Sequence, residues 1–130
     1  MTYLLDTDTV STALRGIGGV GDRLRATAPE AVAVASITEA ELWYGLEKRK
    51  SRRLRNAVTA FLQPLCILPF DSDAARQYGR LQAQLEAAGT PVGMADVMIA
   101  AVALMTKRVL VTNNGAHFGR IRQLQWESWA

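Results

Sequence analysis

Tyr3-Leu4-Leu5-Asp6-Thr7-Asp8-Thr9-Val10 reads as a short apolar strand that stops at an acid and hands over to a helix start. Two more acids stand in the same kind of setting. Glu41 lies in Ser36-Ile37-Thr38-Glu39-Ala40-Glu41-Leu42, and Asp96 immediately precedes the apolar run Val97–Leu104. Burying an ionised carboxylate costs several kcal/mol unless a partner compensates it. No lysine or arginine lies within a few residues of any of the three. The simplest shared partner is a hard divalent cation, which takes oxygen ligands in preference to sulfur or imidazole. The pattern points to a metal-dependent hydrolase.

Outward from that stretch, strand-like and helix-like periods alternate. Tyr3–Asp6, Ala31–Ala35, Cys66–Pro69 and Arg108–Thr112 read as short buried strands. Leu54, Ala57, Val58, Phe61 and Leu62 mark one face of an amphipathic helix. Ala74, Tyr78, Leu81, Leu85 and Ala88 mark another, closed by Gly89. Val97–Leu104 is apolar nearly all round, so that helix should be central. Such alternation predicts an α/β sandwich with a mostly parallel sheet, whose working groups gather beyond the carboxyl ends of the strands. Asp6 and the Thr112-Asn113-Asn114 turn fall there directly.

The 130 residues carry no linker, repeat or low-complexity segment, so one domain over residues 1–130 is expected. Cys66, the only cysteine, sits in Leu65-Cys66-Ile67-Leu68 and is expected to be a buried reduced thiol. One Cys and one His exclude a structural zinc site built from this chain alone. With no signal-like N-terminus and no apolar run of membrane-spanning length, the expected setting is the cytoplasm. The net charge is +3, and the cations are 12 Arg against 3 Lys, a bias that favours phosphate recognition.

Each acid also has a plainer reading. Asp8 or Thr9 would cap a helix running through Leu14, leaving Asp8 as a cap or a group supporting the site. Asp6 ends the strand, and capping needs only one acid. Thr38-x-x-Glu41 is a capping-box pattern, but Ser36-x-x-Glu39 is the better box. That choice would set Glu41 in the second turn on a largely apolar face, as a site residue. Asp96 would favour a helix dipole by roughly 0.3–1 kcal/mol. The apolar helix it opens makes a ligand role the stronger expectation. Asn113, Asn114 and Gly115 form a turn signal, and the amide oxygens with the Thr112 hydroxyl are candidates to complete a carboxylate site.

Other strings mislead or stay open. Gly16-Ile17-Gly18-Gly19-Val20-Gly21 matches G-x-G-x-x-G but follows a helix, whereas a dinucleotide fingerprint follows a strand; it reads as a loop. Asp6-Thr7-Asp8-Thr9-Val10 matches the D-x-D-x-[TV] string of haloacid-dehalogenase-like phosphatases, in which Asp6 would be the nucleophile. That family needs a downstream Lys and an acidic pair, and after Thr112 this chain has no Lys and only Glu127. Lys48, Arg49, Lys50, Arg52, Arg53 and Arg55 pack six cations into eight residues. They form either a solvated turn or a grip on RNA phosphates leading toward the acids. His117, the only histidine, is a candidate water-activating or phosphate-binding group.

Together the motifs resemble the PIN-domain ribonucleases, specifically VapC-type toxins of toxin–antitoxin pairs. Residues 3–11 are similar to the family's opening. Ser36–Leu42 with Tyr44-Gly45 resembles the second motif, with Glu41 as its acid. Gly89–Gly93 followed by Asp96 and Ile99-Ala100-Ala101 resembles the third, with Asp96 as its acid. Leu110–Asn114 with Phe118 and Trp129 resembles the C-terminal signature. The resemblance implies a PIN-like α/β/α sandwich and an endoribonuclease using Mg²⁺ or Mn²⁺ on Asp6, Glu41 and Asp96. Asn114 and Thr112 would orient water or metal. It further implies a VapB-type antitoxin that blocks the site, and a homodimer. Many members carry an acid where this chain has Asn114 or His117, so three carboxylates in place of four predict weaker metal binding, which Asp8 would partly offset. The alternative class is a catalytically weak RNA-binding or interaction module on the same fold.

Overall fold

In the computed structural model, which describes all 130 residues, five short strands build one sheet in the order β3-β2-β1-β4-β5. They are β1 (Tyr3–Leu5), β2 (Val32–Ala35), β3 (Cys66–Leu68), β4 (Val109–Val111) and β5 (Trp126–Glu127). Every neighbouring pair is parallel, with Leu4 opposite both Ala33 and Leu110. The chain first steps from β1 out to β3, then returns to the other side of β1 as β4. The carboxyl ends of β1 and β4 therefore flank the topological switch point, where open parallel sheets form their crevice.

Seven helices cover the two faces: α1 (Thr7–Leu14), α2 (Val20–Arg25), α3 (Ser36–Arg49), α4 (Arg52–Leu62), α5 (Ser72–Ala87), α6 (Met94–Thr106) and α7 (Gly115–Phe118). Strand side chains alternate between faces. Leu4, Ala33, Ala35 and Leu110 point into one core with α5 and α6. Leu5, Val32, Val34 and Val111 point into the other, with α1 to α4 and Trp129. As its composition predicts, α6 is buried along Val97 and Ile99–Ala103. Gly89, at φ +69°, ends α5 in the left-handed conformation, and the Thr90 N–H reaches back to the Leu85 carbonyl at 3.0 Å. The Gly16–Gly21 string is a turn that runs into α2; Gly16 and Gly18 take positive φ, and no strand precedes it. No helix is long and apolar enough to cross a membrane.

Two expectations fail for local reasons, and the sheet has one strand more than the apolar runs predict. Cys66 is exposed, because β3 is an edge strand that buries little of either face. The Ser36–Glu39 capping box does not form. Ala35 takes the N-cap position, and the Ser36 hydroxyl accepts the Phe70 N–H at 3.0 Å, tying the start of α3 to the loop after β3. β5 was not anticipated, since two residues are too few to show alternation.

The C-terminal segment is clamped rather than loose. Trp129, 2% exposed, meets the Tyr3 ring edge-on, lies under the Arg23 guanidinium, and donates from Nε1 to Glu127 at 2.7 Å. Trp129→Ala removes a buried aromatic from the α1–α4 core and is expected to cost about 3–5 kcal/mol. Urea unfolding of the variant beside wild type measures this, and a loss under about 1 kcal/mol would show that the clamp contributes little.

Candidate active site

Asp6 sits at the hinge between strand and helix. Its backbone N–H donates to the Val111 carbonyl, extending the β1–β4 ladder by one bond. Its side chain then caps α1: Oδ1 accepts the Thr9 N–H at 2.8 Å. The cap is thus Asp6, not Asp8 or Thr9; Asp8 is exposed in the first turn. Oδ2 of Asp6 accepts the Thr112 hydroxyl at 2.5 Å across the switch point. Thr112 is fully buried, and its Oγ1 in turn accepts the Asn114 N–H at 2.9 Å. The residue that ends β1 and the residue that ends β4 therefore fix each other.

Asp96, in the first turn of α6, completes the acidic centre. Asp6 is 2% exposed, and burial, reinforced by the nearby Asp8 charge, holds its carboxyl above the ordinary carboxylate range despite the bonds from Thr112 and Thr9. Burial also raises Asp96, and the Asp6 charge adds to it. These two acids are electrostatically coupled. His117 Nδ1 lies 3.7 Å from Asp96 Oδ2 and 2.8 Å from Asn114 Nδ2, so Asn114 and His117 form a paired rim on the β4 side. Asn113 turns away; its Oδ1 accepts from Ser128 at 2.9 Å.

Glu41 is on the opposite flank and is exposed, contrary to the expectation of an apolar face. The buried face of α3 is Thr38, Leu42 and Leu46, which leaves Glu41 at its edge. It is nonetheless held: Oε1 accepts the Thr7 hydroxyl at 2.6 Å, and Thr7 Oγ1 is also 3.0 Å from Thr38 Oγ1. The basic run spreads along the α3–α4 turn, about 10 Å or more along the helix axis from Glu41. There Lys48 covers Tyr44, and Arg55 covers Trp43 and pairs with Glu47. Lys50 caps α3, while Arg52 and Arg53 open α4. Arg49 alone of the six lines the cavity that contains Glu41. Arg15 lines it too, and no sequence motif singled it out.

A hard divalent cation suits this centre. The donors are carboxylate oxygens, and no arginine or lysine pairs with Asp6, Glu41 or Asp96. No three acidic, histidine or cysteine side chains close on one point as a ready-made cage. Mg²⁺ tolerates that, because it keeps several waters and is bound through one or two carboxylates.

A family model described as PIN domain matches residues 3–124. The chain belongs to the PIN-domain family, in its VapC branch. Among relatives of this PIN domain, Ribonuclease VapC2 of Rickettsia felis is 37% identical over 99 residues, covering 75% of this chain and 74% of the relative. The tRNA(fMet)-specific endonuclease VapC of Salmonella typhimurium is 41% identical over 97 residues, with 74% of each covered. The fold matches VapBC2 from Rickettsia felis bound to a promoter DNA fragment at a TM-score of 0.93, with 33% identity and all of both chains covered. DNA-bound VapBC from Salmonella typhimurium gives 0.91 at 34% identity, covering 100% of this chain and 99% of the other. The phosphatase reading finds no support: the D-x-D-x-[TV] string belongs to a PIN domain, and both Asp6 oxygens are already hydrogen-bonded.

The raised acids make the metal-free site a stability cost at neutral pH. A raised folded-state pKa means that the native state holds its proton longer than the unfolded chain. Stability is then full below the ordinary value of 3.8 and is lost as pH rises through the raised one. Asp96→Asn removes one acid of the pair. The melting temperature of metal-free Asp96→Asn is expected to exceed wild type at pH 7 by a few degrees, the gap closing toward pH 4. Mg²⁺ at 100 times its Kd should raise wild type by about 2.7 kcal/mol and the variant far less. Equal melting curves across that range would show that the acids are not coupled.

Proposed function

We propose that this chain is a metal-dependent endoribonuclease, the toxin of a toxin–antitoxin pair, formed by one PIN domain over residues 1–130 and acting in the cytoplasm. The observation that carries the proposal is the placing of Asp6 at the end of β1 and Asp96 in the first turn of α6, with no lysine or arginine paired to either. Asp6, Asp96 and Glu41 would hold Mg²⁺ or Mn²⁺, and the ion would supply charge stabilisation at the phosphodiester and a more acidic bound water. Thr112 and the Thr9 N–H fix the Asp6 carboxylate at the end of β1, one bond on each oxygen. Thr7 holds Glu41 by Oε1 and leaves Oε2 free. Asn114 and His117 orient the substrate phosphate or water beside Asp96.

The relatives supply the biology of the reading. VapBC complexes among the matching structures argue for a VapB-type antitoxin as partner, and the family pattern for a homodimer. A relative named for tRNA(fMet) makes tRNA the first substrate class to test. The paired Asn114 and His117, standing where many members carry an acid, favour a second reading: a catalytically weak RNA-binding module. Metal-dependent turnover separates the two.

The test is tRNA cleavage by the purified chain, freed of partner, in Mg²⁺, Mn²⁺ and chelator. Asp96→Asn is expected to keep the fold and lower cleavage by roughly 10²–10³-fold or more. Cleavage by that variant at the wild-type rate would refute the site assignment. Metal-independent RNA binding without turnover would favour the binding module.

A further inference from the structure

The cavity that opens beside Glu41 has cations that the site described so far does not use. It encloses about 370 Å³ between α1, α3 and α4, within the size range of small-ligand sites. Thr7, Ser11, Arg15, Glu41, Gly45 and Arg49 lie on its walls, above an apolar floor. Arg15 and Arg49 are exposed, and no carboxylate, Glu41 included, forms an ion pair with either. The only polar contact of the Arg15 side chain is a 3.4 Å bond from Nε to the Ser11 carbonyl, one turn back on α1. That leaves its two terminal nitrogens free. Arg23, Arg25, Arg55 and Arg76 are paired with acids and the other arginines are not, so what sets Arg15 and Arg49 apart is the cavity they share beside Glu41. Two unpaired guanidiniums on one cavity, contributed by two different helices, form a receptor for an anion with several oxygens.

Gly45 lines the same cavity without filling it. A Cβ built there meets no atom within 4 Å, so the absence of a side chain is not forced by packing. The cavity also shares Thr7 and Glu41 with the acidic centre, and those two residues are hydrogen-bonded to each other. An anion held by Arg15 and Arg49 would therefore lie next to the carboxylates on the α1–α3 side. The Asn114–His117 pair stands at the β4 end, beside Asp96.

We propose that this cavity is a subsite for an RNA phosphate flanking the scissile one, gripped by Arg15 and Arg49, with the attached nucleoside resting on the apolar floor. The inference rests on the endoribonuclease reading for its ligand. It makes Arg15 and Arg49 binding residues for that ligand, and it distinguishes Arg49 from the rest of the basic run, which lies outside the cavity. Phosphate contacts fix register without reading sequence, so the subsite sets where the backbone lies and not which base is cut.

The experiment measures bulk tRNA binding by fluorescence anisotropy across a salt series. It uses full-length chain carrying Asp96→Asn so that nothing is cut. Onto that background go Arg15→Ala, Arg49→Ala, both together, and Arg76→Ala as a distant control. Each phosphate contact contributes roughly 0.7–0.9 to the slope of log affinity against log salt. Because both arginines grip one phosphate, the double variant should lose about 0.7–0.9 of slope while Arg76→Ala loses none. In the cleaving protein, each single variant should raise KM about tenfold and leave kcat within about twofold. Gly45→Leu, which fills the cavity without touching a charge, should weaken binding like the arginine variants.

A double variant with the wild-type slope and KM would overturn the subsite. So would a fall in kcat at unchanged KM, because the arginines would then be acting elsewhere than in binding. Loss of antitoxin binding with RNA binding intact would also overturn it, assigning the cavity to the protein partner. Failure of the parent protein to cut tRNA in any metal would count against tRNA as its substrate instead, with the slopes still judging the subsite.

Discussion

The hydrogen bond from Thr112 to Asp6 joins two parts of the chain 106 residues apart, at the one place where the sheet reverses its direction of growth. Much of the rest depends on it. Asp6 is buried, acidic and without a basic partner, so only directed donors stabilise it. Thr9 supplies one from the first turn of α1 and Thr112 supplies another from the end of β4. The same two bonds start a helix and lock two parallel strands in register. A residue that would otherwise weaken the core thereby becomes the pivot of the crevice. The residual cost, visible as the raised protonation range of Asp6 and Asp96, is what a divalent cation would offset.

The chemistry of the site is distributed over separate elements, and each holds its group by a different local device. Asp6 is fixed as a helix cap, Asp96 by the packing of an apolar helix, Glu41 by the Thr7 hydroxyl, and Asn114 and His117 by each other. No single loop carries the centre. The scaffold is correspondingly stiff where the site needs it: α6 is lined by Ala100, Ala101 and Ala103, small side chains that let the helix lie close to the sheet. The flank bearing Glu41 and the cavity is the exposed one, as a path for a polymeric substrate must be.

The strands and the central helix were legible because burial on both faces leaves an unbroken apolar run, as in Leu4-Leu5, Val32–Ala35 and Val109–Val111. The acids were legible for the complementary reason: a carboxylate at the end of such a run has no cheap explanation. What escaped was decided by tertiary neighbours. Ser36 has the sequence of a cap, yet Phe70, 34 residues away, supplies its donor. Cys66 sits in an apolar run, but the strand order puts it on an edge. Glu41 lies one position off the buried stripe of α3, a rotation of about 100° that apolar counting does not resolve. Arg15 gave no signal at all, because a single arginine at a helix end shares a cavity with Arg49 only once α1 and α3 are packed together.

The long span between Asp6 and Thr112 also imposes an order in time. During synthesis the first strand and the first helix emerge early, and the partner that completes the Asp6 environment emerges 106 residues later. Parallel pairing over such a separation is slow to form, because the loop must close before contacts reward it. Until β4 docks, Asp6 lacks the Thr112 hydroxyl that holds its second oxygen. The topology therefore ties the finished environment of Asp6 to the arrival of β4.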